Sequence, residues 1–271
     1  MDMKDVADRG LVLLGCGKMG SAMLAGWLRN GMPPASVYVI DPNPSDWLQK
    51  QGVTIGGKLP VDPAIAIIAV KPQMMMEALS DVADLGNGNT LIISIAAGTP
   101  IKTFERVLGV QTPIIRAMPN TPAAIGRGIT ALIGNVRTGT DHMTLAEELL
   151  AAIGQTVRLD DEGQMDAVTA VSGSGPAYVF HLIETLAAAG VNEGLPPTLA
   201  MKLATATVSG AGALAEDANE TSEQLRINVT SPGGTTQAAL QVLMDPDTGF
   251  PVLLKKAVAA AANRSRELAD E

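Results

Sequence analysis

A parallel α/β domain followed by an all-helical one is the fold that the sequence predicts, and a single switch of pattern carries the expectation. Up to residue 162, short β-branched runs alternate with helical stretches; from Gly163 the strand-like runs stop and long Ala- and Leu-rich segments take over. No internal repeat or low-complexity linker marks the change. The division into 1–162 and 163–271 therefore rests on this shift alone.

In the first half the expected strands are 11–14, 37–40, 65–70, 91–95 and 113–116. Their runs are apolar rather than alternating, as in a sheet covered on both faces. A strand at 129–133 and a helix around 141–153 complete this half. The second half reads as helices over 164–171, 176–189, 196–218, 222–228, 235–244 and 251–268. Thr221 and Gln224 have capping-box spacing, Pro176 suits a first helical position, and Gly190 and Gly194 suit helix exits.

Composition narrows the function. The 271 residues are 46% hydrophobic, enough for a substantial core. Cys16 is the one cysteine, which rules out an internal disulfide and suits a reducing, cytoplasmic setting. A net charge of −9 opposes attraction to a phosphate backbone, so nucleic acid is not an expected partner. No apolar run reaches the ~18 residues of a membrane span, and no signal peptide is evident at residues 1–10. Aromatics are 3% of the chain while Ala, Gly and Met abound, which points to close helix-on-helix contact between subunits.

Gly15-Cys16-Gly17-Lys18-Met19-Gly20 directly follows the first strand and opens a helix expected to run to Asn30. In that context the three glycines form a dinucleotide fingerprint. The first permits the tight turn, the second lets the backbone approach a pyrophosphate and the third allows close helix packing, while N–H groups at the helix start attract the anion. In this context the motif predicts that the first half binds a dinucleotide. Asp41 ends the second strand near the ~20-residue offset of a ribose-binding acid. It is equally an Asp-Pro turn former. A ribose role would favour NADH by repelling a 2′-phosphate, which Lys58 or Lys18 could offset, so both NADPH and NADH stay open as cofactors.

Four further segments go together: Ala69-Val70-Lys71-Pro72-Gln73, Arg116 to Ala123 (RAMPNTPA), Val171 to Phe180 (VSGSGPAYVF) and Val229 to Thr236 (VTSPGGTT). With the fingerprint they resemble the pyrroline-5-carboxylate reductase family from Gly15 to about Asp245, and the last block looks like that family's own signature. The resemblance implies a Rossmann domain and an all-α dimerisation domain that completes the active site at a homodimer or higher homo-oligomer interface. It implies reduction of 1-pyrroline-5-carboxylate to L-proline by NADPH or NADH, the last step of proline biosynthesis. By carry-over, Gly15, Cys16, Gly17, Lys18, Met19, Gly20, Ala69, Val70, Lys71, Pro72, Ala96, Ala97 and Gly98 line the cofactor. Ser231, Gly233, Gly234, Thr235 and Thr236 hold the substrate. Between the second and third strands the chain departs from the family pattern, with Ile55-Gly56-Gly57-Lys58-Leu59-Pro60 where an asparagine is common.

The chemistry suits these residues. A cyclic imine with a carboxylate needs an anion cradle and a hydrogen-bonding group at nitrogen. Two glycines before a helix can present backbone N–H groups to the carboxylate, and Thr236 can reach the nitrogen. No Cys, His or acid pair accompanies the segment, so neither a nucleophilic nor a metal site is expected. For Asn120 the readings are a nicotinamide contact or a turn; for Ser172 to Pro176 they are a pocket lining or a break between helices. Two rival readings are a β-hydroxyacid dehydrogenase, which would carry a lysine soon after the glycines of the second half, and a nucleotide sensor without turnover. Residues 177–184 contain no lysine.

Overall fold

The structure, a computed structural model, describes residues 1–270. Among them eight strands form one sheet: β1 Leu11–Leu14, β2 Val37–Ile40, β3 Thr54–Ile55, β4 Ile65–Ile68, β5 Leu91–Ser94, β6 Ile114–Met118, β7 Gly128–Gly134 and β8 Gly154–Arg158. Their order is β3-β2-β1-β4-β5-β6-β7-β8. All neighbours are parallel except β6 and β7. The chain winds outward from β1 in both directions, which places a crevice at the carboxyl edge between β1 and β4.

The apolar runs have a simple cause. Leu11, Leu13, Ile65, Ile67, Leu91 and Ile93 point into one buried cluster, and Val12, Leu14, Ala66, Ile68 and Ile92 into the other. With both faces covered, every position of β1, β4 and β5 is interior, so alternation disappears there. On the first face, helix Lys18–Arg29 contributes Met23, Leu24 and Trp27. The Trp27 indole donates to the carbonyl of Leu149 at 2.9 Å. A Cβ on Gly26 would lie 2.8 Å from the Ala152 carbonyl oxygen, so this helix can dock only with glycine there. On the other face Phe104 and Leu108 of helix Ile101–Leu108 join Leu79 and Val82.

The structure corrects several expectations. The fourth strand stops at Ile68 rather than reaching residue 70, because Ala69 to Lys71 turn out of the sheet into the 3-10 turn Pro72–Met74. The helix expected to run to 153 ends at Leu150, and one 3-10 turn, Ala151–Ile153, leads into β8. Strand β8 was not expected: its sequence is polar because it pairs only with β7 at the sheet edge. Helix Met3–Arg9 was also missed, although Asp2 and Asp5 form a reciprocal cap at its start. Gly190 is not a helix exit. It lies inside helix Gly175–Asn192, and a Cβ there would touch Ala200 at 3.4 Å and Leu195 at 3.3 Å. Gly194, with φ +94°, does make the exit.

By packing, the chain forms two compact units, residues 1–173 with 262–271, and residues 174–261. The segment following the change of pattern at 162/163 is a 3-10 turn, Glu162–Gln164, a short helix, Met165–Val168, and a π turn, Thr169–Gly173. The second unit holds helices Gly175–Asn192, Pro197–Asp217, Ser222–Asn228 and Thr235–Leu243 and the start of Phe250–Asp270. Its buried cluster is three alanines, Ala187, Ala200 and Ala204, packed with Ile183 and Leu195. By contrast Phe180, Leu203, Leu214, Val242 and Leu253 are each about half exposed or more. No helix among the described residues is long and apolar enough to cross a membrane.

Candidate functional site

At the carboxyl edge the chain leaves β1 through Gly15, whose φ of +90° only glycine adopts readily. A Cβ there would sit 2.8 Å from the Ala69 carbonyl oxygen, and one on Gly20 would sit 2.4 Å from that of Gly15. These two glycines are therefore demanded by backbone crowding. Gly17 is different. Its φ of −70° suits any residue, and a Cβ would meet no atom within 4 Å. The fold leaves this place open, which is what the approach of a ligand's pyrophosphate requires.

Gly17 is also the N-cap of helix Lys18–Arg29 and supplies no side-chain cap. The first-turn N–H groups of Lys18, Met19 and Gly20 thus have no acceptor within the helix, and a twelve-residue helix concentrates positive potential there. The N–H of Cys16 is already engaged, donating to Asp41 Oδ2 at 2.7 Å, while Asp41 Oδ1 accepts from Asn43 N–H at 2.8 Å. Asp41 ties the glycine loop to the end of β2, and each carboxylate oxygen keeps a second lone pair. Burial is the main cause that pushes the Cys16 thiol above its ordinary pKa, with Asp41 adding to it and the Ser21 hydroxyl opposing it. The thiol is a packed neutral group rather than a nucleophile.

Ala69, Val70, Lys71 and Pro72 follow β4, with Ala69 N–H donating to Leu14 O at 2.7 Å. Ala96, Ala97 and Gly98 follow β5; Ala96 N–H is turned toward the Ser94 hydroxyl at 3.3 Å, and Gly98 has φ +71°. All these residues lie on the edge that carries Gly15 to Gly20 and Asp41. A feature missed in the sequence steadies them. Buried Arg116 pairs with Glu162 at 2.9 Å, and the same Glu162 oxygen accepts the N–H of Ile101, capping the helix that follows Gly98. An arginine inside an otherwise apolar strand was the available signal.

The Ser231 to Thr236 segment lies in the second unit and is built separately. Gly233 has φ +71°, and a Cβ on Gly234 would press on the Ser231 carbonyl oxygen at 3.1 Å. One expectation is corrected: the glycine N–H groups do not face outward as anion donors. That of Gly233 donates to Gln237 Oε1 at 2.6 Å and that of Gly234 to Ser231 O at 3.0 Å. The amides left without an acceptor in helix Thr235–Leu243 belong to Thr235, Thr236 and Gln237. Gln237 was missed; its place four residues after Gly233 was the signal. His181, exposed in its helix, lies 3.3 Å from Glu184 Oε2.

A pyrroline-5-carboxylate reductase of Pseudomonas aeruginosa is 36% identical over 267 residues, covering 96% of this chain and 97% of that one. The chain belongs to the pyrroline-5-carboxylate reductase family. The reductase of Synechocystis is 39% identical over 95% of this chain and 97% of its own. Residues 162–268 match the family model described as pyrroline-5-carboxylate reductase dimerisation, and residues 11–98 match one described as NADP oxidoreductase, coenzyme F420-dependent. Among solved structures, the Coxiella burnetii reductase superposes with a TM-score of 0.88 at 33% identity, covering 96% of this chain and 98% of that one. The Plasmodium falciparum enzyme, solved with NADP bound, gives 0.82 at 28% identity over 97% of this chain and 98% of its own.

The distinct reasons for the three glycines give a test in this reductase. Gly17→Ala should shift stability by no more than about 1 kcal/mol, since its backbone is ordinary, yet weaken nucleotide binding roughly tenfold or more. Fluorescence titration with NADPH and NADH, beside thermal unfolding, checks this. Unchanged affinity for both nucleotides would remove Gly17 from the cradle.

Proposed function

We propose that this chain catalyses the reduction of 1-pyrroline-5-carboxylate to L-proline with NADPH or NADH, the closing step of proline synthesis, as a cytoplasmic homodimer or larger homo-oligomer. Residues 1–162 serve the nucleotide and 163–271 serve substrate and assembly. The observation that carries the substrate half is the start of helix Thr235–Leu243, where two glycines bend the chain so that consecutive threonines open the helix.

When bound, the dihydronicotinamide supplies a hydride to the imine carbon while the C=N π pair moves to nitrogen. Gly15, Cys16, Gly17, Lys18, Met19 and Gly20 hold the pyrophosphate at the helix start. Ala69, Val70, Lys71 and Pro72 with Ala96, Ala97 and Gly98 line the remainder, and Asp41 faces the ribose as well as bracing the loop. The N–H groups of Thr235 and Thr236 take the substrate carboxylate, with Ser231, Gly233 and Gly234 shaping that cradle. The Thr236 hydroxyl hydrogen-bonds the ring nitrogen, which is where electron density grows. No nucleophile is needed: a protonated imine is already electrophilic, and holding it in line and dry supplies several kcal/mol. A family model named for dimerisation covers residues 162–268, and the exposed side chains of the second unit, Phe180, Leu203 and Leu253 among them, supply apolar area for a second copy.

Two expectations follow. The purified protein should oxidise NADPH or NADH only when pyrroline-5-carboxylate is present, and Thr236→Val should lower kcat on the order of tenfold to a thousandfold while proline still binds. Loss of proline binding at unchanged kcat would make the hydroxyl a ground-state anchor instead. In sedimentation equilibrium at micromolar concentration the 27.9 kDa chain should run at twice that mass or more. A stable monomer would contradict the assembly.

A further inference from the structure

The chain passes between the two units twice, at 173/174 and at 261/262. Each passage is fastened just inside the sheet-bearing unit. At the second, the buried Ser265 hydroxyl donates to Asp166 Oδ1 at 2.6 Å. A Cβ on Gly98 would come within 3.0 Å of Leu268 Cβ, so the end of the last helix lies directly on that loop. At the first, the helix Met165–Val168 widens into the π turn Thr169–Gly173, whose hydroxyls bond backward, Thr169 to Met165 O at 2.8 Å and Ser172 to Val168 O at 3.0 Å. A π turn spoils the regular pairing of carbonyls and needs outside partners.

Asn120 is that partner. Its Nδ2 donates to Ser172 O at 3.1 Å, and its Oδ1 accepts from Ile129 N–H at 3.0 Å. One neighbour is a carbonyl and the other an N–H, so the orientation of the amide is fixed by chemistry. Met118, two residues earlier on the same strand end, lies over Gly173, where a Cβ would come within 2.5 Å of its Cε. The amide thus joins the carboxyl edge of β6, the start of β7 and the last turn before the chain leaves this unit. These two bonds fix where the amide points, whatever its second N–H and second lone pair meet.

We infer that Asn120 is a positioning residue for the reduction, acting through the carbonyl of Ser172 to hold the stretch of chain from which the helical, substrate-holding unit begins. The inference rests on the reductase reading, since it assigns the Thr236 side of the chemistry to that unit. It separates two quantities. Nucleotide affinity, set by Gly15 to Gly20, is independent of Asn120, whereas turnover depends on it.

The variant that tests this is Asn120→Asp, which keeps an acceptor for Ile129 N–H but, when ionised, faces the Ser172 carbonyl with an oxygen instead of a donor. At neutral pH its kcat should fall about tenfold or more, with the dissociation constant for NADPH within about twofold of wild type. Amide hydrogen exchange across 165–175 should quicken. Protonation restores a donor, so below about pH 5 the ratio of variant to wild-type kcat and the exchange rates should both recover. Asn120→Ser removes both bonds without adding charge; it should show the same split with no acid recovery, and it serves if the aspartate variant does not fold. Turnover within twofold of wild type in the folded variants, or a rise in nucleotide dissociation constant parallel to the fall in kcat, would overturn the assignment. A wild-type protein without turnover would instead overturn the reductase reading, while exchange at 165–175 would still report on the Asn120 contact.

Discussion

Where β1 turns out of the sheet, neither Gly15 nor Gly20 has room for a side chain, and the rest of the nucleotide half follows from that crowding. Gly15 lies with positive φ against the Ala69 carbonyl, and Gly20 lies against the carbonyl of Gly15. Strand β1, the exit of β4 and the start of helix Lys18–Arg29 are thereby brought to the closest approach that backbone allows. The cost is conformational entropy in the unfolded chain, on the order of 1 kcal/mol per glycine. The return is a helix start with uncapped N–H groups at the topological switch point of the sheet. Asp41 and the Glu162–Arg116 pair hold the flanking loops, so this edge of the sheet is braced from both sides.

The helical unit obeys an opposite constraint. Its interior is built of alanine, which allows helices Gly175–Asn192 and Pro197–Asp217 to approach closely but buries little apolar area per residue. Its larger apolar residues, such as Phe180 and Leu253, face outward. A unit of this kind gains most of its stability from what covers those faces, and the description of the family model over 162–268 names dimerisation. The loop Ser231 to Thr236 is internally tied by Gln237 and Ser231, so its shape is set locally and does not wait on that covering.

Much of this was legible in the sequence because buried parallel strands and a glycine fingerprint are local signals. The runs at Leu11–Leu14, Val37–Ile40, Ile65–Ile68 and Leu91–Ser94 carry apolar residues toward both faces of the sheet. What escaped was set by tertiary position. β8 is polar because it lies at an edge, β3 is two residues long, and the buried Arg116 makes sense only once Glu162 is beside it. The role of Asn120 was open between ligand and turn for the same reason: its two partners are 9 and 52 residues away. Two successive glycines before a helix suggest an anion cradle, whereas here their N–H groups close the turn through Gln237 and Ser231, partners that the glycines themselves do not reveal.

The proposed reaction is direct hydride transfer from a reduced nicotinamide to a cyclic imine. Supplying nicotinamide nucleotide deuterated at both positions of its reactive ring carbon, together with unlabelled pyrroline-5-carboxylate, and analysing the product by mass spectrometry tests it most directly. Direct transfer yields proline one mass unit heavier, with the deuterium on the former imine carbon. Proline formed without deuterium, or oxidation of the nucleotide with no proline formed, would contradict it.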